Sequence, residues 1–160
     1  MEKKTECLLA ACTGKTVPLS AVPDEVFAQG ILGEGIAIEP VEGRFFAPVG
    51  GKIESVTDTR HAFTILSDAG SDVLVHIGVD TVSLAGEGFV SHVSAGESVK
   101  VGQLIAEADI DFIRSRGLSA ICSVVVTEPE RIENIEYKPG ACIGGKDAVM
   151  SYQVTGKGAL

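Results

Sequence analysis

Tryptophan is absent from this 160-residue chain, and all aromatic residues together make up only 5% of it. A core without large rings must rest on Val, Ile, Leu and Ala, and 19 glycines imply many tight turns between short runs. Basic clusters are also missing: 13 Lys and Arg stand against 22 Asp and Glu, for a net charge of −9. Without a positive stripe the phosphate backbone of a nucleic acid has nothing to grip, so nucleic acid is not an expected partner. The acidity suits solubility, or an acidic rim that steers a basic protein partner. Four cysteines, at 7, 12, 122 and 142, include no Cys-x-x-Cys pair, which excludes a zinc cluster or dithiol motif and fits a reducing compartment. No apolar run is long enough for a signal-peptide core or a membrane span, so a cytoplasmic location without membrane insertion is expected. No linker or charge run divides the chain, and one domain over 1–160 is expected, with 1–6 as a flexible arm.

What is present is a series of short alternating apolar runs, among them "GIAIEP", "RFFAPVGGKIESV", "HAFTIL", "VLVHIGV", "GFVSHV" and "SVVVTE". Gly, Pro, Asn or Asp separate them, the pattern of an antiparallel β-sandwich or barrel-sandwich hybrid. "APVGGKIESV" and "SAGESVKVGQLIAEAD" both place glycines between β runs, as in the hammerhead of biotinyl and lipoyl carrier domains, although Lys52 is not at a recognisable modification hairpin. Two short helical segments are expected. One is "PDEVFAQG", Pro23 to Gly30, and the other is "DIDFIRSRG", capped by Asp109 and closed by Gly117.

Two of the three histidines, His61 and His76, flank one polar turn, "SDAGSD". If 61–66 and 73–79 pair as antiparallel strands, the simplest register sets Ile65 opposite Asp72, Phe63 opposite Leu74 and His61 opposite His76. Both imidazoles then share a face, with Cβ atoms roughly 4.5–5.5 Å apart. A bulge at Gly70 would shift the register by one and send the rings to opposite faces. Alternation sends Val73, Val75, Ile77 and Val79 to the core and leaves Leu74, His76 and Gly78 on the side of the pair, with open space at Gly78. Thr59 falls on the same face as His61, where its hydroxyl can hold a ring nitrogen.

Such a pair has several uses. Two packed structural histidines are the plainest. A metal site needs three or four ligands, and only Asp80 is a nearby carboxylate in sequence. Hydrolysis lacks a Gly-x-Ser-x-Gly element or a cysteine close to either histidine. "CTGKT" lacks the first glycine of a nucleotide-binding loop, which would fall at Leu9, and "GEGIAI" and "GEGFVS" lack the third glycine of a dinucleotide fingerprint. The remaining use is nucleophilic: a neutral imidazole attacks phosphorus without a separate base, while its neighbour donates to the phosphoryl oxygens. His92 has no placeable partner and reads as structural or surface.

"VLVHIGVDTVSLAGEGF", with "TRHAF", "PDEVFAQGILGEGIAI" and "VKVGQLIAEADID", closely resembles the glucose-type enzyme IIA domain of the bacterial phosphoenolpyruvate-dependent sugar phosphotransferase system, from about Cys7 to Gln153. The resemblance implies that His76 takes a phosphoryl group from the phosphocarrier HPr and passes it to a cysteine of an enzyme IIB domain. It implies that His61 supports the transfer and that Thr59 hydrogen-bonds within the site. Asp24 and Asp80 match acidic rim positions, and Val26, Phe27, Ile31 and Leu74 match an apolar docking patch. No cofactor and a monomer are expected, although zinc shared between His61, His76 and a partner's carboxylate fits two open-sided ligands. Glu25 and Thr57 stand where members often carry less polar residues, which implies a more polar rim. A second reading is a regulatory binding module whose docking is switched by phosphorylation of His76.

Overall fold

The computed structural model describes residues 4–155. Its strands are β1 (Lys4–Leu9), β2 (Gly14–Pro18), β3 (Glu34–Pro40), β4 (Arg44–Phe46), β5 (Gly51–Val56), β6 (Ala62–Ser67) and β7 (Asp72–Ile77). They continue as β8 (Phe89–Ser91), β9 (Ser98–Val99), β10 (Leu104–Ala108), β11 (Cys122–Val126), β12 (Ile132–Tyr137), β13 (Ala141–Cys142) and β14 (Ala148–Val154). Two short α-helices interrupt them, α1 (Glu25–Ala28) and α2 (Ile110–Ser115). Every strand pair is antiparallel, as the alternating runs require. One eight-stranded sheet runs β13-β2-β3-β11-β7-β6-β5-β9, and two three-stranded sheets run β1-β14-β12 and β4-β10-β8.

The main core lies between these sheets and is aliphatic, with Leu8, Ile38, Ile53, Ile65, Ile105 and Ile113 fully enclosed around Phe45, Phe63 and Tyr152. β7 shows how the pattern works: Val73, Val75 and Ile77 face that core, while Leu74 and His76 face the other way. β11 is buried at all five positions because its second face is covered as well. There a smaller cluster of Val22, Phe27, Ala37, Val79, Ile121 and Val125 packs beneath α1. The two glycine-rich segments singled out by likeness meet directly, with Gly51 of β5 paired to Val99 of β9.

Three expectations change. Residues 4–6 are not a free arm: they open β1 and pair with β14, Lys4 against Val154, while residues 1–3 lie outside the described residues. The first helix is a single four-residue turn rather than the whole 23–30 stretch, because Gly30 adopts a left-handed φ of 71° that a helix cannot continue through. The third is the register between β6 and β7, taken up with the site.

The second helix forms as its caps dictate. The Asp109 carboxylate accepts the Phe112 N–H at 3.0 Å, and Gly117 takes φ 78° just past the end. Asp109→Ala is therefore expected to cost about 1 kcal/mol, read as a lower urea midpoint at unchanged slope.

Candidate functional site

The β6–β7 register is shifted by one from the simplest pairing: His76 lies opposite Ala62, Leu74 opposite Thr64 and Asp72 opposite Leu66. The turn holds one residue more than that pairing allows, with Ser67 N–H bonded to the Ser71 carbonyl at 2.8 Å and Gly70 at φ 98°. By strand alternation this shift would part the two rings, yet their centroids are 4.9 Å apart at an interplanar angle of 83°. The reason is that His61 precedes β6 rather than belonging to it. It closes the β5–β6 loop, in which Arg60 takes a left-handed φ of 60° and Thr57 N–H bonds the Ala62 carbonyl at 3.1 Å. Loop backbone is free of the two-residue alternation, so the ring swings over β7.

Each imidazole is held by a defined partner. Thr59 Oγ1 lies 2.6 Å from His61 Nδ1, and Thr57 Oγ1 lies 3.4 Å from the same nitrogen. Thr59 thus reaches the ring as expected, but from the loop and not from a strand face. His76 Nδ1 lies 2.8 Å from the Gly78 carbonyl oxygen. A carbonyl only accepts, so Nδ1 of His76 carries the proton and Nε2 presents its lone pair. Nor is there open space at Gly78: a Cβ there would sit 2.4 Å from Thr81 Cγ2, and its φ is 80°.

Phe27 packs on the opposite side of His76, ring centroids 5.0 Å apart, and is itself only 6% exposed. It therefore differs from the docking position expected of it, being part of the small core under α1. Leu74 is half-buried in that cluster, whereas Val26 and Ile31 are 41% and 66% exposed. Val82, two residues after Asp80 in the 3-10 turn Thr81–Leu84, is a further exposed apolar side chain. Asp24 caps α1 by accepting the Val26 N–H at 2.9 Å. The negative charges of Asp24 and Asp80 both favour the protonated form of His76. His92 is remote in role, paired on the surface with Glu107 at 2.8 Å.

Burial, followed by the neighbouring His76, holds the His61 pKa down at about 4. Burial also lowers that of His76, against the opposing pull of the Gly78 carbonyl, Asp24 and Asp80. Both rings are thus neutral at neutral pH. An unfolded His61 takes a proton near pH 6.5 and the folded one only near 4, so the contribution is complete above pH 6.5 and is lost as pH falls toward 4. A loss on the order of 1–2 kcal/mol is expected in urea melts between pH 7.5 and 4.5, with a shallower decline in His61→Gln.

The fold and the paired histidines define a class that comparison identifies. The family model for the phosphoenolpyruvate-dependent sugar phosphotransferase system, EIIA 1, matches residues 6–132, and the chain belongs to that family of phosphoryl-transfer components. Its type follows from a solved structure, glucose permease IIA from Mycoplasma capricolum, to which it is 35% identical with a TM-score of 0.86 over 92% of this chain and 96% of that one. Within the family it is a glucose-type IIA domain. Among the described residues no helix is long and apolar enough to cross a membrane.

Proposed function

We propose that His76 is the phosphoryl acceptor, charged by phospho-HPr and discharged to a cysteine of an enzyme IIB domain. The observation that carries this is the 2.8 Å bond from His76 Nδ1–H to the Gly78 carbonyl, which leaves Nε2 as an unprotonated nucleophile aimed away from its anchor. In the first step Nε2 attacks phosphorus, the phosphorus–nitrogen bond to HPr breaks, and the histidine of HPr recovers its lone pair. In the second, the cysteine thiolate attacks and the bond to Nε2 breaks. His61, edge-on to His76, supplies an N–H to the phosphoryl oxygens as charge spreads over them. The incoming dianion also draws the proton affinity of His61 upward, which strengthens that donation.

Asp24 and Asp80 set an acidic rim for a basic partner, and Val26, Ile31 and Val82 form the exposed apolar contact around it. The reading places one domain in the cytoplasm, acting as a monomer without a resident cofactor. Among the described residues no three His, Cys, Asp or Glu are grouped so as to hold a metal ion, so zinc on the two rings would need a partner's carboxylate. The test is intact-mass analysis after incubation with phosphoenolpyruvate, enzyme I and HPr. One acid-labile, alkali-stable phosphoryl adduct supports the proposal, and a folded protein that stays unmodified overturns it.

A further inference from the structure

The position beside His61 that seemed only to make the rim more polar has a more specific geometry. Thr57 Oγ1 accepts two backbone N–H groups, from His61 and from Ala62, each at 3.2 Å. They are the last N–H of the loop that lifts His61 out of strand alternation and over His76, and the first of β6. With its lone pairs engaged, the Thr57 hydroxyl has one proton left, and the two acceptors in reach are the Ala62 carbonyl at 3.5 Å and His61 Nδ1 at 3.4 Å. Thr59 Oγ1 also lies against that nitrogen, at 2.6 Å. Two hydroxyls, each able to donate, thus converge on Nδ1. Arg60 fixes the same loop from outside through Nη2 to the Gly86 carbonyl at 3.3 Å.

We infer that Thr57 is a positioning residue for phosphoryl transfer: its hydroxyl ties down the loop backbone that aims His61 and, with Thr59, holds the His61 ring as the Nε2–H tautomer facing His76. The inference rests on the role proposed for His61. Its physical basis is that a hydroxyl accepting two successive N–H groups where the loop enters β6 leaves that loop few alternatives, whereas an isosteric valine strands both donors. The Nε2–H tautomer is the one that presents a donor at the ring edge away from the threonines, where phosphoryl oxygens on His76 would lie.

The experiment compares wild type, Thr57→Val and Thr57→Ser by nitrogen-15 NMR of the imidazoles and by single-turnover phosphoryl transfer. In wild type the His61 shifts are expected to report protonated Nε2. In Thr57→Val they move toward the tautomer-averaged values of a free histidine, and transfer from His76 to enzyme IIB slows about tenfold at unchanged KM for HPr. Thr57→Ser, which keeps the hydroxyl, restores both. A Nδ1–H tautomer in wild type, or a Thr57→Val protein with wild-type shifts and rates, overturns the inference. Should Thr57→Val fail to fold, the wild-type tautomer and the Ser variant still decide it. Absence of phosphate uptake by wild type would instead defeat the proposed function, leaving the tautomer measurement standing.

Discussion

The His76→Ala protein is expected to take up no phosphoryl group from HPr, while His61→Ala and His61→Gln are expected to accept one and then release it to enzyme IIB about 10²–10⁴-fold more slowly than wild type. The asymmetry follows from what each ring contributes. In the proposed mechanism His76 supplies the electron pair that forms the new bond, and of its neighbours Phe27 and the Gly78 carbonyl offer no nucleophile, while the Nδ1 of His61 is engaged by Thr59. On the same reading His61 supplies only a donor to oxygens already carried by phosphorus, so its loss would slow the transfer without removing the acceptor. Quenched-flow transfer with labelled phospho-HPr separates the two steps. Labelling retained in His76→Ala would refute the assignment, and unimpaired discharge in both His61 variants would reduce that residue to packing.

Gly78→Ala combines two defects in one methyl group. At φ 80° an L side chain is strained, and the added Cβ would meet Thr81 Cγ2 at 2.4 Å and the Ser119 carbonyl at 3.0 Å. Thr81 is fully buried and donates to the Ile77 carbonyl at 2.6 Å, so it has nowhere to retreat without stranding its hydroxyl. The sum is about 2–4 kcal/mol, or a Tm lower by about 6–12 °C for a chain of this size. The same shift moves the carbonyl that fixes the His76 tautomer, so the surviving folded protein is expected to accept phosphate at least tenfold more slowly. A stable Gly78→Ala variant with wild-type kinetics would show that neither the turn nor the carbonyl anchor matters as argued.

The site was legible in part, and for reasons that differ residue by residue. The alternation in "VLVHIGV" correctly put His76 opposite the core face, since one strand face must be apolar when the other carries polar groups. The meeting of His61 and His76 was also expected, but through a pairing that does not occur. Register depends on the closing geometry of the turn at 67–71, and a single extra residue there moves every cross-strand partner. That the rings still meet is due to the Thr57–Ala62 loop closure, a contact with no periodic signal. Phe27 was expected in the docking patch from the family resemblance alone. Only the direction of a one-turn helix over the small cluster turns it inward onto His76.

By itself the sequence determined the kind of protein: mostly β, from short alternating runs cut by glycine, and a phosphotransferase IIA domain, from the long stretch around His76. Such features are local, written in periods of two or in adjacent letters, and need no knowledge of what packs where. Tertiary structure decided the chemistry of the pair. Which nitrogen of His76 is free, how far both proton affinities fall, and which threonines hold His61 all depend on burial and on hydrogen bonds across loops. Those are set by three-dimensional distance, which the spacing of residues along the chain does not specify.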